Sequence, residues 1–277
     1  MASGLSLSPS YNSRNGKRAL LIGNNTYKRK IPLQYCVNDA NDLGNKLRSI
    51  KFEVTICFNL TCEQMDEKIE HFANEIQQGD LVLFFFAGHG YQWNDQNFLI
   101  PIDDDRIKTH VYIKHRAINA QFTLERIMKR LPSAAIFLLD CCRSYLLPNE
   151  AVSRGSSDSG GLSTMRAVAG SLIAFACDTD KTVQDGSLNG RNSIFTAHLL
   201  EHIAQPNITV DEIMCDVCDG VMKESNDDQC PFRVSSLRRK VYLNKQVQVG
   251  KSKVLNNNKK KQHLILLFSY ENCYLSN

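Results

Sequence analysis

The stretch "DLVLFFFAGHG", Asp80–Gly90, decides how the chain reads. From Leu81 to Ala87 every residue is apolar. A strand with one wet face alternates apolar and polar residues, whereas a strand covered on both faces of a largely parallel sheet reads as an unbroken apolar run. The run closes on a histidine bracketed by glycines. A second stretch, "AIFLLDCCRSY" (Ala135–Tyr145), has the same form, but it passes directly from apolar residues into an aspartate, two cysteines and an arginine.

Working outward, strand and helix signals alternate. "KRALLIG" (Lys17–Gly23) reads as a buried strand, and Val37, Ala40, Leu43, Leu47 and Ile50 form the stripe of an amphipathic helix. "FEVTICF" (Phe52–Phe58) is a β-branched and aromatic strand, and "TCEQ" (Thr61–Gln64) is a capping box opening a helix with Met65, Ile69, Phe72 and Ile76 on one face. Further elements are a helix over Thr123–Arg130, strands Ala134–Leu139 and Ser171–Cys177, and helices over Ser193–Ala204 and Val210–Glu224. Such alternation implies right-handed crossovers and helices on both faces. The expected fold is α/β: a three-layer sandwich with a mostly parallel central sheet of about six strands flanked by helices.

The chain has 277 residues, 43% of them hydrophobic, enough for one sizeable core. Residues 1–16 lack an apolar signal segment and read as a disordered arm, residues 17–243 as the folded domain, and residues 244–277 as a basic, flexible tail. No apolar run approaches the roughly 18 residues that span a bilayer. The expected location is therefore cytoplasmic, with most of the ten cysteines held as thiols. Residues 238–277 carry nine Lys/Arg and one acid (9 − 1 = +8), so the remainder carries 4 − 8 = −4. A mildly acidic body argues against nucleic acid and membrane as partners, and the basic tail reads as a solvated extension.

In an α/β sheet, ligands sit beyond the carboxyl ends of the strands, where His89 and the "DCC" group both fall. Because a strand alternates faces, Asp140 and Cys142 share a side and Cys141 takes the other. His89 lies 53 residues before Cys142 (142 − 89). A cysteine and a histidine brought together by a sheet suit nucleophilic acyl transfer. A free thiol of pKa near 8.5 is roughly 3% thiolate at pH 7, and an imidazole can take its proton and later donate one to a departing amine. The backbone N–H groups of Gly90 and Cys142 are candidate oxyanion donors.

"FFFAGHG" followed by "FLLDCCRS" resembles the caspase, metacaspase and paracaspase superfamily of cysteine proteases, the peptidase C14 type. An aspartate two residues before the nucleophile is the metacaspase and paracaspase pattern, and "AGHGYQWNDQNFLIPIDDD" (Ala87–Asp105) is most similar to animal paracaspases. "LQYCVNDANDLGNKL" (Leu33–Leu47) resembles the segment opening the first helix, and "FACDTDKTVQDGSLNGRNSIFTAHLL" (Phe175–Leu200) the strand, substrate loop and helix after the nucleophile.

The resemblance implies a caspase-like fold over Lys17–Tyr242, with Cys142 as nucleophile, His89 as its partner, and Asp39, Asp140 and Cys36 lining the S1 pocket. Two carboxylates there favour a P1 arginine, then lysine, and repel an aspartate. The expected partners are thus proteins and peptides with P1 Arg or Lys, together with a second copy of the chain as a homodimer. A third S1 acid of the paracaspases aligns with Thr182, with Asp178, Asp180 and Asp185 nearby. Arg154 and Arg166, in the Gly/Ser-rich stretch "SRGSSDSGGLSTMR", match the predicted specificity as self-cleavage sites.

Blander readings bound the rest. A lone buried cysteine is more often a small hydrophobe than a nucleophile, which is the reading for Cys36, Cys57, Cys62, Cys177 and Cys273. His198 and His202 (i, i+4) lack a third metal ligand, and Cys215-x-x-Cys218 lacks the second pair of a structural zinc site. Calcium activation occurs in metacaspases, but "DDD" (Asp103–Asp105) reads as a solvated loop. No metal or cofactor is required. "IGNNTYKRK" matches neither nucleotide-binding glycine motif, which excludes that class. The remaining alternative is a catalytically idle scaffold with a caspase-like surface.

Overall fold

The computed structural model describes residues 15–142, 165–177 and 186–246, save the side chain of Cys142. Strand β1 (Lys17–Gly23) is followed by α1 (Cys36–Ser49), β2 (Glu53–Phe58) and α2 (Cys62–Glu75). Strands β3 (Leu81–Trp93) and β4 (Gln96–Leu99), helix α3 (His110–Arg116), the short β5 (Ile118–Asn119) and α4 (Ala120–Met128) come next. Then follow β6 (Ala134–Cys142), β7 (Ser171–Phe175), α5 (Ile194–His202), α6 (Val210–Glu224) and β8 (Phe232–Ser235).

The main sheet runs β2-β1-β3-β6-β7-β8, parallel except for β8, which pairs antiparallel with β7. Alternation along the strands divides the interior in two. Leu81, Leu83, Phe85 and Ala87 of β3, with Ile136 and Leu138 of β6, pack beneath α1, α5 and α6. Val82, Phe84 and Phe86, with Phe137 and Leu139, pack beneath α2 and α4. The expected three-layer arrangement is what these residues build. The chain reverses direction at β1: α1 covers one face on the way to β2, and α2 covers the other on the way to β3. That is the reversal that opens a crevice beyond the strand ends.

Local chemistry explains the elements. The capping box is present: Thr61 Oγ1 accepts from the Gln64 N–H, and Gln64 Oε1 accepts from the Thr61 N–H. At the end of β1, a Cβ on Gly23 would stand 2.2 Å from the Cys36 carbonyl oxygen, so only glycine lets α1 start directly above the strand.

Several expectations need correction. β3 does not stop at the glycine-bracketed histidine. Its parallel pairing with β6 ends at His89, and the strand then continues to Trp93 in an antiparallel hairpin with β4. That hairpin, α3, β5 and β8 were absent from the sequence reading because all are short. α4 starts at Ala120 rather than Thr123, since Asn119 caps it by accepting from the Phe122 N–H.

The "DDD" run is not a solvated loop. Asp103 and Asp104 are buried, and only Asp105 is exposed. Asp103 accepts from the Cys62 N–H (2.9 Å) and pairs with Arg106. Asp104 accepts from the backbone N–H groups of Arg29 (2.9 Å) and Lys30 (3.2 Å), tying the strand-end loops together. At the far end, Asn244 donates to the Ala204 carbonyl and accepts from the Asn207 N–H, so the folded body extends past residue 243. Residues 1–14 and 247–277, which hold most of the predicted arm and tail, lie outside the described residues.

Candidate active site

The last parallel pair of the β3–β6 ladder sets His89 opposite Cys142. In that register the two residues stand level at the carboxyl ends of adjacent parallel strands, where α/β sheets bind their ligands. Position 142 has the parity of Leu138 and Asp140, while Cys141 is buried on the opposite face with Leu139 and Phe137.

His89 is buried and has a neighbour that sequence reasoning missed. The backbone N–H of His89 donates to the Tyr27 hydroxyl (2.8 Å), and the two rings lie 4.4 Å apart. The Tyr27 hydroxyl in turn faces the Ile100 carbonyl (3.4 Å). A Cβ on Gly88 would sit 2.6 Å from that hydroxyl and 2.7 Å from the Phe86 ring. The glycine before the histidine thus admits the tyrosine. Burial pushes the Tyr27 phenol well above its ordinary pKa, so it stays a neutral hydroxyl. Gly90 stands one residue beyond the last parallel pair, opposite Leu99 of β4.

The two predicted S1 acids come together although 101 residues separate them (140 − 39). Asp39, from the first turn of α1, and Asp140, near the end of β6, are both buried and both bound by the start of α5. Asp39 Oδ1 accepts from Asn192 Nδ2 (3.0 Å) and the Ser193 N–H (3.1 Å). Asp140 Oδ2 accepts from the Ser193 hydroxyl (2.5 Å) and the Thr196 hydroxyl (2.8 Å). Ser193 is also the N-cap of α5, taking the Thr196 N–H on its hydroxyl oxygen. Each acid thereby uses one oxygen inward. Asp39 Oδ2 and Asp140 Oδ1 accept no hydrogen bond among the described residues.

The electrostatics follow from that burial. Asp39 is pushed up to about 8, by loss of solvent first and then by the nearby Asp140 carboxyl. Asp140 is raised as well, chiefly by burial, against the two hydroxyls that favour its charged form. One turn further along α1, Asp42 is held below the usual carboxylate range by a two-pronged pair with Arg191 (2.6 and 2.8 Å). This outer pair clamps the start of α5 against α1.

Cys36 is buried at the start of α1 beneath this region. Arg166 is exposed, with its N–H and carbonyl both held by the Gln121 side chain. Arg154, Thr182, Asp178, Asp180 and Asp185 lie outside the described residues. His198 bonds Glu224 (2.8 Å) and His202 bonds Gln205 (2.9 Å), so neither waits for a metal. Among the described residues no three His, Cys, Asp or Glu side chains converge as a metal site, and no helix is long and apolar enough to cross a membrane. Asn192 and Ser193 were legible in principle, since a polar pair before an apolar helix is a helix-start signature.

An open, mostly parallel sheet with a histidine and a cysteine paired in register at adjacent strand ends defines a caspase-like fold. Solved structures agree: caspase-1 from Spodoptera frugiperda matches with a TM-score of 0.61 and 16% identity, over 84% of this chain and 92% of that one. A structure titled pro-sf-caspase-1 matches at 0.60 and 18%, over 90% and 99%. The caspase domain model matches residues 16–242, and the chain belongs to that family, peptidase C14. The human mucosa-associated lymphoid tissue lymphoma translocation protein 1 is 31% identical over 127 residues, 46% of this chain and 15% of its own length. Metacaspase-5 of Trypanosoma cruzi is 28% identical over 197 residues, 61% of this chain and 44% of its own. The chain thus spans less than half the length of these curated relatives.

Proposed function

We propose that this protein is a cysteine endopeptidase that cleaves peptides after arginine, then lysine, with Cys142 as nucleophile and His89 as acid and base. The observation that carries the reading is the pairing of His89 opposite Cys142 beside two buried carboxyls that each leave one oxygen without a hydrogen bond among the described residues. A guanidinium placed between Asp39 and Asp140 can bond both free oxygens, and Arg surpasses Lys because its planar fork serves two acceptors at once.

In the reaction, the Cys142 thiol passes its proton to the His89 imidazole and the sulfur bonds to the scissile carbonyl carbon. The carbonyl oxygen becomes an oxyanion facing the Gly90 and Cys142 N–H groups. As the intermediate collapses, the C–N bond breaks and the amine leaves with the proton from His89. Water, losing a proton to His89, then attacks the thioester, and the thiol regains that proton on release of the acid. Tyr27 holds the His89 backbone from behind. Arg154 and Arg166 are the proposed self-cleavage points, and a second copy of the chain is the proposed partner besides the substrate.

The test is fluorophore release from matched peptides with Arg, Lys or Asp at P1, with and without calcium, for wild type, Cys142→Ala and Cys141→Ala. Arg cleavage lost only in Cys142→Ala supports the reading. Cleavage after Asp, or equal loss in both variants, overturns it, and a folded protein silent on every peptide points to the idle scaffold. For self-cleavage, fragments that persist in an Arg154→Ala/Arg166→Ala variant rule those sites out.

A further inference from the structure

On the opposite edge of the molecule from β2, three sulfurs converge that the proposed chemistry does not use. Cys218 and Met222 stand one turn apart on α6, so they share a face. Cys230 arrives from the loop before β8. Met222 Sδ lies 3.9 Å from Cys218 Sγ and 3.9 Å from Cys230 Sγ. Burial raises the Cys218 pKa, and the neighbouring Cys230 thiol adds to it.

The loop that delivers Cys230 is firmly held. Asn226 and Asp227 turn through positive φ, and the Asp227 N–H returns to the Met222 carbonyl (2.8 Å). The Ser225 hydroxyl accepts from the Gln229 N–H (3.0 Å), and Gln229 Nε2 bonds the Ala176 carbonyl at the end of β7 (2.7 Å). All three sulfur residues are half-buried, open enough for an ion to enter. The remaining polar neighbour within reach is the Pro231 carbonyl, 3.5 Å from Cys218 Sγ and 3.8 Å from Cys230 Sγ.

A metal bound in one plane by three sulfurs at about 2.3 Å needs them about 4.0 Å apart (2.3 × √3). The two edges to Met222 Sδ, each 3.9 Å, match that spacing, and the third is the one between the two thiols. Donor chemistry selects the ion. Zinc favours four ligands from thiolate, imidazole and carboxylate, and none of the last two joins this cluster. Two thiolates and a thioether are the set that suits monovalent copper.

We propose that Cys218, Met222 and Cys230 form a binding site for a soft monovalent metal ion, copper(I), with two thiolates and one thioether as ligands. Two thiol protons leave on binding, giving a site of net charge −1. Arg233 lies alongside, its Nη2 3.1 Å from Cys215 Sγ, and offsets that charge. Cys215 is exposed on a neighbouring part of α6 and is not a ligand.

The experiment is an anaerobic titration of the full chain with copper(I) against bicinchoninate, in a Cys142→Ala background that removes the proposed nucleophile. The expected result is one ion per chain, three sulfurs at about 2.3 Å by X-ray absorption, and unchanged uptake in Cys215→Ser. Cys218→Ser and Cys230→Ser should each weaken binding by more than the roughly 10–100-fold that even an outer partner of a metal site contributes. Met222→Leu, which preserves volume, should weaken it about tenfold. Melting temperatures of the metal-free variants show that each is folded. Undiminished uptake in the Cys218→Ser/Cys230→Ser double variant, loss in Cys215→Ser, or tighter zinc than copper(I) at these residues overturns the proposal.

Discussion

Replacing Asp39 by asparagine should make the protein more stable in alkaline solution while removing its preference for a P1 cation. The asparagine carbonyl can accept the same two N–H bonds, from Asn192 and Ser193, so the local structure has no reason to change. What changes is the cost of charge. The carboxyl ionises near 3.8 in an unfolded chain and at about 8 in the folded one. Between those values the folded state holds more protons, so stability falls as pH rises from about 4 to about 8 and is level above. About four pH units at 1.36 kcal/mol each set a ceiling of about 6 kcal/mol. An interior that responds as a medium of effective dielectric near 20, rather than 4, brings the expected gain to about 1 kcal/mol.

The assay is urea unfolding of wild type and Asp39→Asn at pH 5 and pH 9. The variant's margin over wild type should be larger at pH 9 than at pH 5. In parallel, inhibition by two peptide aldehydes, one ending in arginine and one in its neutral isostere citrulline, isolates the pocket, because the thiol and imidazole affect both alike. In wild type the arginine preference should grow with pH up to about 8, since each bound cation displaces a proton from the acid pair. In Asp39→Asn it should be small and flat. Equal offsets in stability at both pH values, or a preserved pH-dependent arginine preference, would refute the reasoning.

Three further expectations rest on single contacts. Tyr27→Phe leaves the buried His89 N–H without its 2.8 Å acceptor, an omission that costs about 1–3 kcal/mol, and should lower kcat more than it raises KM. Ser193→Ala removes the donor to Asp140 and the α5 cap, about 1 kcal/mol of stability. It should raise KM for P1 Arg peptides with little change in kcat, and Ser193→Thr should restore it. Gly88→Ala forces a methyl to within 2.6 Å of the Tyr27 hydroxyl, so chemical unfolding should show a loss of about 1–3 kcal/mol, relieved in part by Tyr27→Phe.

The two apolar runs were enough to read the sheet because such strands have one interpretation, cover on both faces. α6 was legible to its ends, since its stripe is regular and Thr209 and Glu212 form a capping box. β4, β5 and β8 escaped, being four, two and four residues long, too short to show a period. In the site, alternation placed Cys141 and Asp140 on opposite faces, and the family resemblance supplied Asp39. Tyr27 carried no signal at all. It sits in an irregular segment, and its importance arises from a 62-residue separation that only the β1–β3 pairing closes. The burial of Asp103 and Asp104 was likewise invisible, because a run of acids looks the same whether it meets water or the backbone N–H groups of another loop.

The acid pair shows why a fold keeps an arrangement that weakens it. Two carboxyls buried side by side oppose folding, and the start of α5 mitigates this with an amide, a backbone N–H and two hydroxyls. The other two oxygens accept no hydrogen bond among the described residues, and in the proposed reading they serve the substrate's cation. Among the described residues no basic side chain pairs with Asp39 or Asp140, whereas Arg191 pairs with Asp42 one turn along the same helix. That contrast between neighbouring acids of α1 favours a binding pocket over a structural pair. It also makes the alkaline gain in Asp39→Asn and its loss of arginine preference two readings of one interaction, so that finding either without the other would separate stability from recognition.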